Sequence, residues 1–151
     1  MKYLIAAVAV LMGVSACAGT EALGTIVVER AWARASPKGA VNGICFLTVV
    51  NNGPESDRLI GASSPVADNI QFHEMKMEDG ISKMRQLDTI EVPSGTSLKL
   101  KPDGIHLMMR IKQQLQQRKT FPLTLNFQKA GKLDVTVNIG SVGAMDDMSG
   151  K

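Results

Sequence analysis

The sequence predicts an all-β domain, built as an antiparallel sandwich or barrel. Three observations predict it: the apolar runs are short and of strand type, turn-forming clusters separate them, and the later runs alternate with period two. Each alternating run buries one face. At 151 residues the chain suits a single domain with a proper core. Aliphatic residues dominate its apolar content and aromatics are only 4%, a composition that fits packed strands rather than a disordered chain.

The first twenty residues, "MKYLIAAVAVLMGVSACAGT", carry one charge at Lys2, an apolar run of signal-peptide length and then small residues. That run is too short to span a membrane. "VSAC" at 14 to 17 resembles a lipobox, in which Cys17 is acylated and becomes the new N-terminus. Ordinary cleavage after Ala18 competes with it, because Ala16, Cys17 and Ala18 also satisfy the small-x-small rule. Lipidation is the preferred reading, and the absence of Asp at position 18 resembles outer-membrane rather than inner-membrane sorting. The expected division is a signal peptide of lipoprotein type over 1–16, a tether over 17–24, a domain over 25–142 and a flexible tail over 143–151.

Within the domain, "TIVVERAWA" from 25, "ICFLTVVNN" from 44, "DRLIGAS" from 57 and "NIQFHEMKM" from 69 read as strands. "NNGPESD" (51–57), "EDG" (78–80), "PSGT" (93–96) and "KPDG" (101–104) are the turns between strands. Leu98 and Leu100, then Phe121, Leu123, Leu125 and Phe127, then Leu133, Val135, Val137 and Ile139 alternate cleanly. Only "IKQQLQQ" (111–117) has any helical pattern.

Charge and cysteine narrow the partners. The formal charge of +3 falls to +2 once Lys2 leaves with the signal, since residues 1 to 16 hold no other charge. Arg110, Lys112, Arg118 and Lys119 read as a solvated rim rather than a nucleic-acid patch. Acylation of Cys17 leaves Cys45 without a disulfide partner, and its setting in "ICFLTVV" makes it a small core residue. No nucleophile has a neighbouring base, no carboxylates pair in a recognisable motif, and no glycine loop is built for phosphate, so the chain does not read as an enzyme.

The chain has two histidines, and the stretch "HEMKMEDGISKM" (73–84) surrounds one of them with three methionines. Strand alternation separates core methionines from the rest. In "GIHLMMRI" (104–111), Ile105, Leu107, Met109 and Ile111 share the buried face, and His106, Met108 and Arg110 the opposite one. In "NIQFHEMKM", Ile70 and Phe72 point inward and His73, Met75 and Met77 outward. Met84 alternates away from Ile81. A methionine is more often a flexible gap filler than a ligand. Both histidines nevertheless head an H-x-M pair on the outward face. Thioether and imidazole are neutral donors, soft sulfur selects Cu(I), and zinc would prefer thiolate, imidazole or carboxylate.

At these residues the sequence resembles the PCu(A)C family of exported copper chaperones, whose pattern is His, ten residues, Met, twenty-one residues, then His-x-Met. His73, Met84, His106 and Met108 match all four positions. The likeness runs from "AWARASPKG" at 31 through "LTVVNNG" and "RLIGASSPVA" to "FPLTLNFQKAGKLDVTV". It implies a cupredoxin-like Greek-key β-barrel or sandwich. It also implies a monomer holding one Cu(I) at an exposed site through those four residues. The ion would pass to the CuA subunit of cytochrome c oxidase in the periplasm, often alongside a thioredoxin-like copper chaperone. "QQLQQRKT" departs from the family's glycine-containing turn, and the tail lacks the histidines some relatives carry. Met145 and Met148, with Asp146 and Asp147, read as solvated tail. Met75 and Met77 lie outside the pattern.

Three other readings compete. A copper-sequestering tolerance protein would use the same site, and the sequence does not separate it from delivery. An electron-transfer cupredoxin needs a His2Cys set, and Cys45 has no histidine near it in sequence. An immunoglobulin-like interaction module would make the H-x-M pairs accidental.

Overall fold

Two-residue loops with left-handed residues close hairpins, because their backbone twist matches that of the strands they join. The computed structural model describes residues 20 to 145. The expected signal peptide, Cys17 and residues 146 to 151 lie outside them. β1 (Thr20–Leu23) turns at Gly24 (φ +60°) and Thr25 into β2 (Ile26–Arg34). There follow β3 (Asn42–Asn51), β4 (Asp57–Ser63), β5 (Ala67–Glu78) and β6 (Ile81–Leu87). β7 (Ile90–Val92), β8 (Ser97–Lys99), β9 (Ile105–Ile111), β10 (Thr120–Phe127) and β11 (Gly131–Gly140) complete the chain.

The strands join in one open sheet in the order β6-β5-β9-β3-β2-β11-β10-β4-β7, with β1 on β2 and β8 on β3. The connections β3 to β4, β4 to β5 and β9 to β10 carry the chain between the two halves of the sheet, as Greek-key connections do. The halves close over one core that draws Val28, Leu47, Phe72, Leu107, Met109, Leu123, Phe127 and Val137 from both of them. The all-β expectation is met, and among the described residues no helix is long and apolar enough to cross a membrane.

Four details differ from the sequence reading. The sheet is mixed rather than antiparallel, because β11 runs parallel to β2 (Asn138 beside Trp32, Gly140 beside Arg34). Alternation reports which side chains are buried and is silent on direction, and no turn links these two strands to force it. Residues 20 to 23 of the expected tether form β1, each paired with β2. "IKQQLQQ" is not helical: beyond Ile111 the chain runs as an irregular connection held by the buried side chain of Leu115 and by a bond from Leu115 N–H to Ser36 Oγ. Seven residues with two apolar anchors do not offset the entropic cost of a helical nucleus. The expected tail is ordered at its start, where Ala144 is buried.

At the end of the sheet away from the histidines, Asp57 is buried and accepts backbone N–H bonds from Arg58, Lys129 and Ala130. Burial disfavours its charge, but the bonds from Lys129, Arg58 and Ala130 outweigh that and hold its carboxyl below the usual carboxylate range. Asp57→Ala leaves these donors without an acceptor. We expect it to cost about 1–3 kcal/mol, read as a lower urea midpoint at unchanged slope.

Candidate metal centre

The centre starts from two strand registers. In β5, Ile70 and Phe72 turn to the core and Gln71, His73, Met75 and Met77 face away. In β9, Leu107 and Met109 are buried in the core and His106 and Met108 lie on the opposite face. β5 and β9 pair with His73 directly opposite His106, and Gln71 opposite Met108. β6 follows β5 through a two-residue turn in which Asp79 (φ +51°) and Gly80 (φ +76°) both take left-handed conformations, the type I′ arrangement that aspartate-glycine pairs favour. That turn sets Met84 opposite Met75. His73, Met84, His106 and Met108 therefore share one face of three adjacent strands.

The two histidines differ in setting. His73 has Nδ1 3.1 Å from the sulfur of Met84 and Nε2 3.1 Å from Gln71 Oε1. With its proton on Nε2 it donates to Gln71 and turns a lone pair toward the thioether, so two electron-pair donors face each other. Met84 is 48% exposed. His106 is only 2% exposed, with its ring centroid 5.9 Å from that of His73. Its Nδ1 lies 3.1 Å from the carbonyl of Gly104, and a carbonyl can only accept, so Nδ1 carries the proton and Nε2 the lone pair. That Nε2 is the one buried side-chain nitrogen or oxygen among the described residues without a hydrogen-bond partner. Buried polar atoms are seldom left so.

Burial lowers the His106 pKa, the Gly104 carbonyl pulls the other way, and the charges of His73 and Arg34 lower it further. The net direction is down, which keeps the ring neutral and able to ligate. Among the described residues no three His, Cys, Asp or Glu side chains gather as a metal site would need, so thioether sulfur is what completes any set around these imidazoles. Two imidazoles and two thioethers add no charge, which suits a soft monovalent ion.

The outward face is less polar than the sequence reading has it. A second apolar cluster of Trp32, Phe46 and Ala144, with Ile44 against it, lies beside the histidines. Phe46 is 4.5 Å from Trp32 and 6.3 Å from His106 between ring centroids. Trp32 reaches this face through a bulge: Arg30 takes φ +50° and the β2–β3 register shifts between Glu29 and Trp32. The Arg34 guanidinium lies 5.7 Å over the Phe46 ring, and its Nε donates to the Ala144 carbonyl at 2.7 Å. None of Trp32, Arg34, Phe46 or Gly104 stood out in the sequence. Alternation places Trp32 only if the bulge is known, and Gly104 reads there simply as a turn residue.

Cys45 sits on the other side of the sheet, fully buried and paired in register with Leu107. Burial pushes its thiol up to about 12. It is the core residue the sequence implies, and it cannot join His106 in a blue-copper set across the sheet.

With this geometry in hand, comparison with known proteins gives the family. The LpqE-like family model matches residues 26–139. The chain belongs to the LpqE-like family. A Leifsonia xyli subsp. xyli (strain CTCB07) protein named "Putative lipoprotein Lxx21020" is 29% identical over 143 residues, covering 87% of this chain and 84% of that one. Among solved structures, the apo PCuAC domain of PmoF2 superposes with a TM-score of 0.72 at 27% identity, over 84% of this chain and 98% of the domain. Its copper-bound form gives 0.71 at 27%, over 81% and 97%. Cu(I)-loaded DR1885 of Deinococcus radiodurans gives 0.54 at 26%, over 73% and 74%. The PCuAC resemblance thus holds for this LpqE-like chain in family and in its all-β, cupredoxin-like fold.

The pH dependence of the apo protein follows from His106. An unfolded histidine titrates near 6.5 and the folded one below it, so just under 6.5 the unfolded chain takes up a proton that the folded chain refuses. His106 contributes fully above that value, and its contribution drains away as pH falls toward the depressed pKa. Urea midpoints of the apo protein should drop between about pH 7.5 and about pH 5.5. In His106→Gln the drop should be smaller.

Proposed function

We propose that this LpqE-like protein is an exported copper chaperone that binds one Cu(I) through His73, Met84, His106 and Met108 and delivers it to the CuA site of cytochrome c oxidase. The single observation that carries the reading is His106 Nε2, a buried lone pair without a partner beside a second imidazole that itself meets the Met84 thioether. The copper-bound PmoF2 domain and the Cu(I) form of DR1885, both above a quarter identical to this chain, support copper as the cargo. The pattern His73, Met84, His106, Met108 supports the ligand set.

The mechanism follows from the unequal exposure of the donors. His106 is buried and oriented by Gly104, whereas Met84 stands half in solvent. An acceptor that supplies a thiolate or thioether can approach from the Met84 side, replace that sulfur first, and draw the ion off the remaining ligands one at a time. No step changes the oxidation state. Thioethers keep their donor character in an oxidising compartment, where thiols are lost to disulfides. A thioredoxin-like partner fits the same picture by keeping the acceptor cysteines reduced.

Export and anchoring belong to the same reading. Residues 1–16 are a signal peptide, the lipid sits on Cys17, Ala18 favours the outer membrane, and the monomeric domain of residues 25–142 works in the periplasm. The lipoprotein names of the family and of the Leifsonia relative support this.

Anaerobic Cu(I) titration of residues 18–151 against a chromogenic chelator tests the site. One tight equivalent is expected for the parent, with affinity reduced about tenfold or more in His106→Ala and in Met108→Ala. Equal binding by all three removes the ligand assignment. In cells lacking the protein, loss of oxidase activity under copper scarcity supports delivery, and copper sensitivity with normal oxidase activity supports sequestration instead.

A further inference from the structure

Two methionines on the metal-binding face have no part in the four-residue pattern. Met75 and Met77 follow His73 at period two and point to the same side of β5. Met75 lies directly opposite Met84 in the β5–β6 register, a relation that brings side chains within about 5 Å at their Cβ atoms. Met77 is 67% exposed and pairs with Ser82. Neither residue contributes to the core, although an exposed thioether has no advantage over a polar side chain in water. Lys76 and Glu78 alternate with them on the other side of the strand, where Glu78 forms an ion pair with Lys83.

A backbone contact ties this pair to the buried histidine. The Gly104 carbonyl accepts from Met75 N–H at 3.0 Å and also from His106 Nδ1–H at 3.1 Å. The sulfur row and His106 are therefore fixed to one oxygen, and the row runs from the exposed hairpin tip at Met77 through Met75 and Met84 to His73. Methionine has three rotatable bonds and a polarizable sulfur, so neighbouring thioethers on one strand face can close on a common soft ion.

We propose that Met75 and Met77 form a second, weaker Cu(I) site, in which Met84 is a ligand shared with the tight one. The proposal rests on the reading that His73, Met84, His106 and Met108 hold the ion. Copper passes between the two positions by exchanging sulfurs around Met84: one Cu–S bond forms as a Cu–N or Cu–S bond on the other side breaks. The ion stays Cu(I), and no proton leaves the thioethers. The weak site is the solvent-facing stage of uptake and release, and the tight site is the holding position.

The test uses Ag(I), a redox-inert monovalent soft ion, and the methionine ε-methyl NMR signals of the full mature chain. In the parent, Met84 and Met108 signals should move with the first equivalent, and Met75 and Met77 signals with further addition at an affinity weaker by about a hundredfold or more. In Met75→Leu/Met77→Leu, the tight affinity should stay within about threefold, while transfer of Cu(I) to a chromogenic chelator slows about fivefold or more. Leucine keeps the volume and the strand, so folding is preserved. Met75 and Met77 signals that never move, or an unchanged transfer rate in the double variant, overturn the proposal. Movement of Met75, Met77 and Met84 without Met108 keeps the second site and removes the four-ligand assignment, so the two failures are told apart.

Discussion

The register between β5 and β9 is the constraint on which the centre depends. His73 and His106 are opposite each other because Phe72 and Leu107, their neighbours in the two strands, are also opposite and both buried. A slip of one residue in either strand would send that strand's histidine into the core and its apolar residues out. The burial of Phe72, Leu107 and Met109 therefore does two jobs. It holds the sandwich together, and it fixes the imidazoles on the far side of the same strands. The tight turn at Asp79 and Gly80 extends that register to β6, so that Met84 arrives at His73 from a third strand with no long-range contact of its own.

The sheet thus has two apolar faces with different purposes. The main core is mostly aliphatic with Phe72, Phe121 and Phe127 among its members, while the small outer cluster is built on Trp32 and Phe46 and ends at an imidazole. Trp32, Phe46 and His106 form a continuous wall, and the segment up to Ala144 covers part of it through Arg34. This wall explains why His106 is buried although it points away from the core. It keeps water from Nε2, which sustains the low pKa and the free lone pair at the same time. Burial beside Phe46 and the Gly104 carbonyl act on the two nitrogens separately: the carbonyl selects the tautomer, and the wall empties the surroundings of the other atom.

Much of this was readable in the sequence, and the failures have a common cause. Alternation found the strands, put Met109 inside and Met108 beside His106, and made Cys45 a core residue, because each of these follows from local period and burial. The Asp79-Gly80 turn was readable for the same reason. What alternation cannot report is pairing between strands distant in sequence. The parallel contact of β11 with β2, the placing of β1 and the apolar cover of His106 all arise there. The bulge at Arg30 is the clearest case: it shifts the phase of "ERAWAR" by one, and only the left-handed backbone at Arg30 reveals that Trp32 faces Phe46. The spacing from His73 to Met108 names four residues that the strand pairing brings to one face. The cross-strand relation of Met75 to Met84 had no such pattern to announce it.

The unpartnered nitrogen also bears on how tightly such a centre can hold an ion. A buried acceptor without a hydrogen bond costs the apo fold about 1–3 kcal/mol. If a metal fills that position, the cost is relieved on binding, which corresponds to about five- to 150-fold in affinity. The same gain would vanish if water reached Nε2, since a water molecule would satisfy the lone pair in the apo state and then have to be displaced. Trp32 and Phe46 would thus contribute to the binding free energy without supplying a donor atom. Met84 offers the opposite balance. The residue is half exposed, so as a ligand it would gain less from coordination and give up less on leaving. In the proposed ligand set, one dry donor and one wet donor would let the centre retain its ion without trapping it, with release from the wet side.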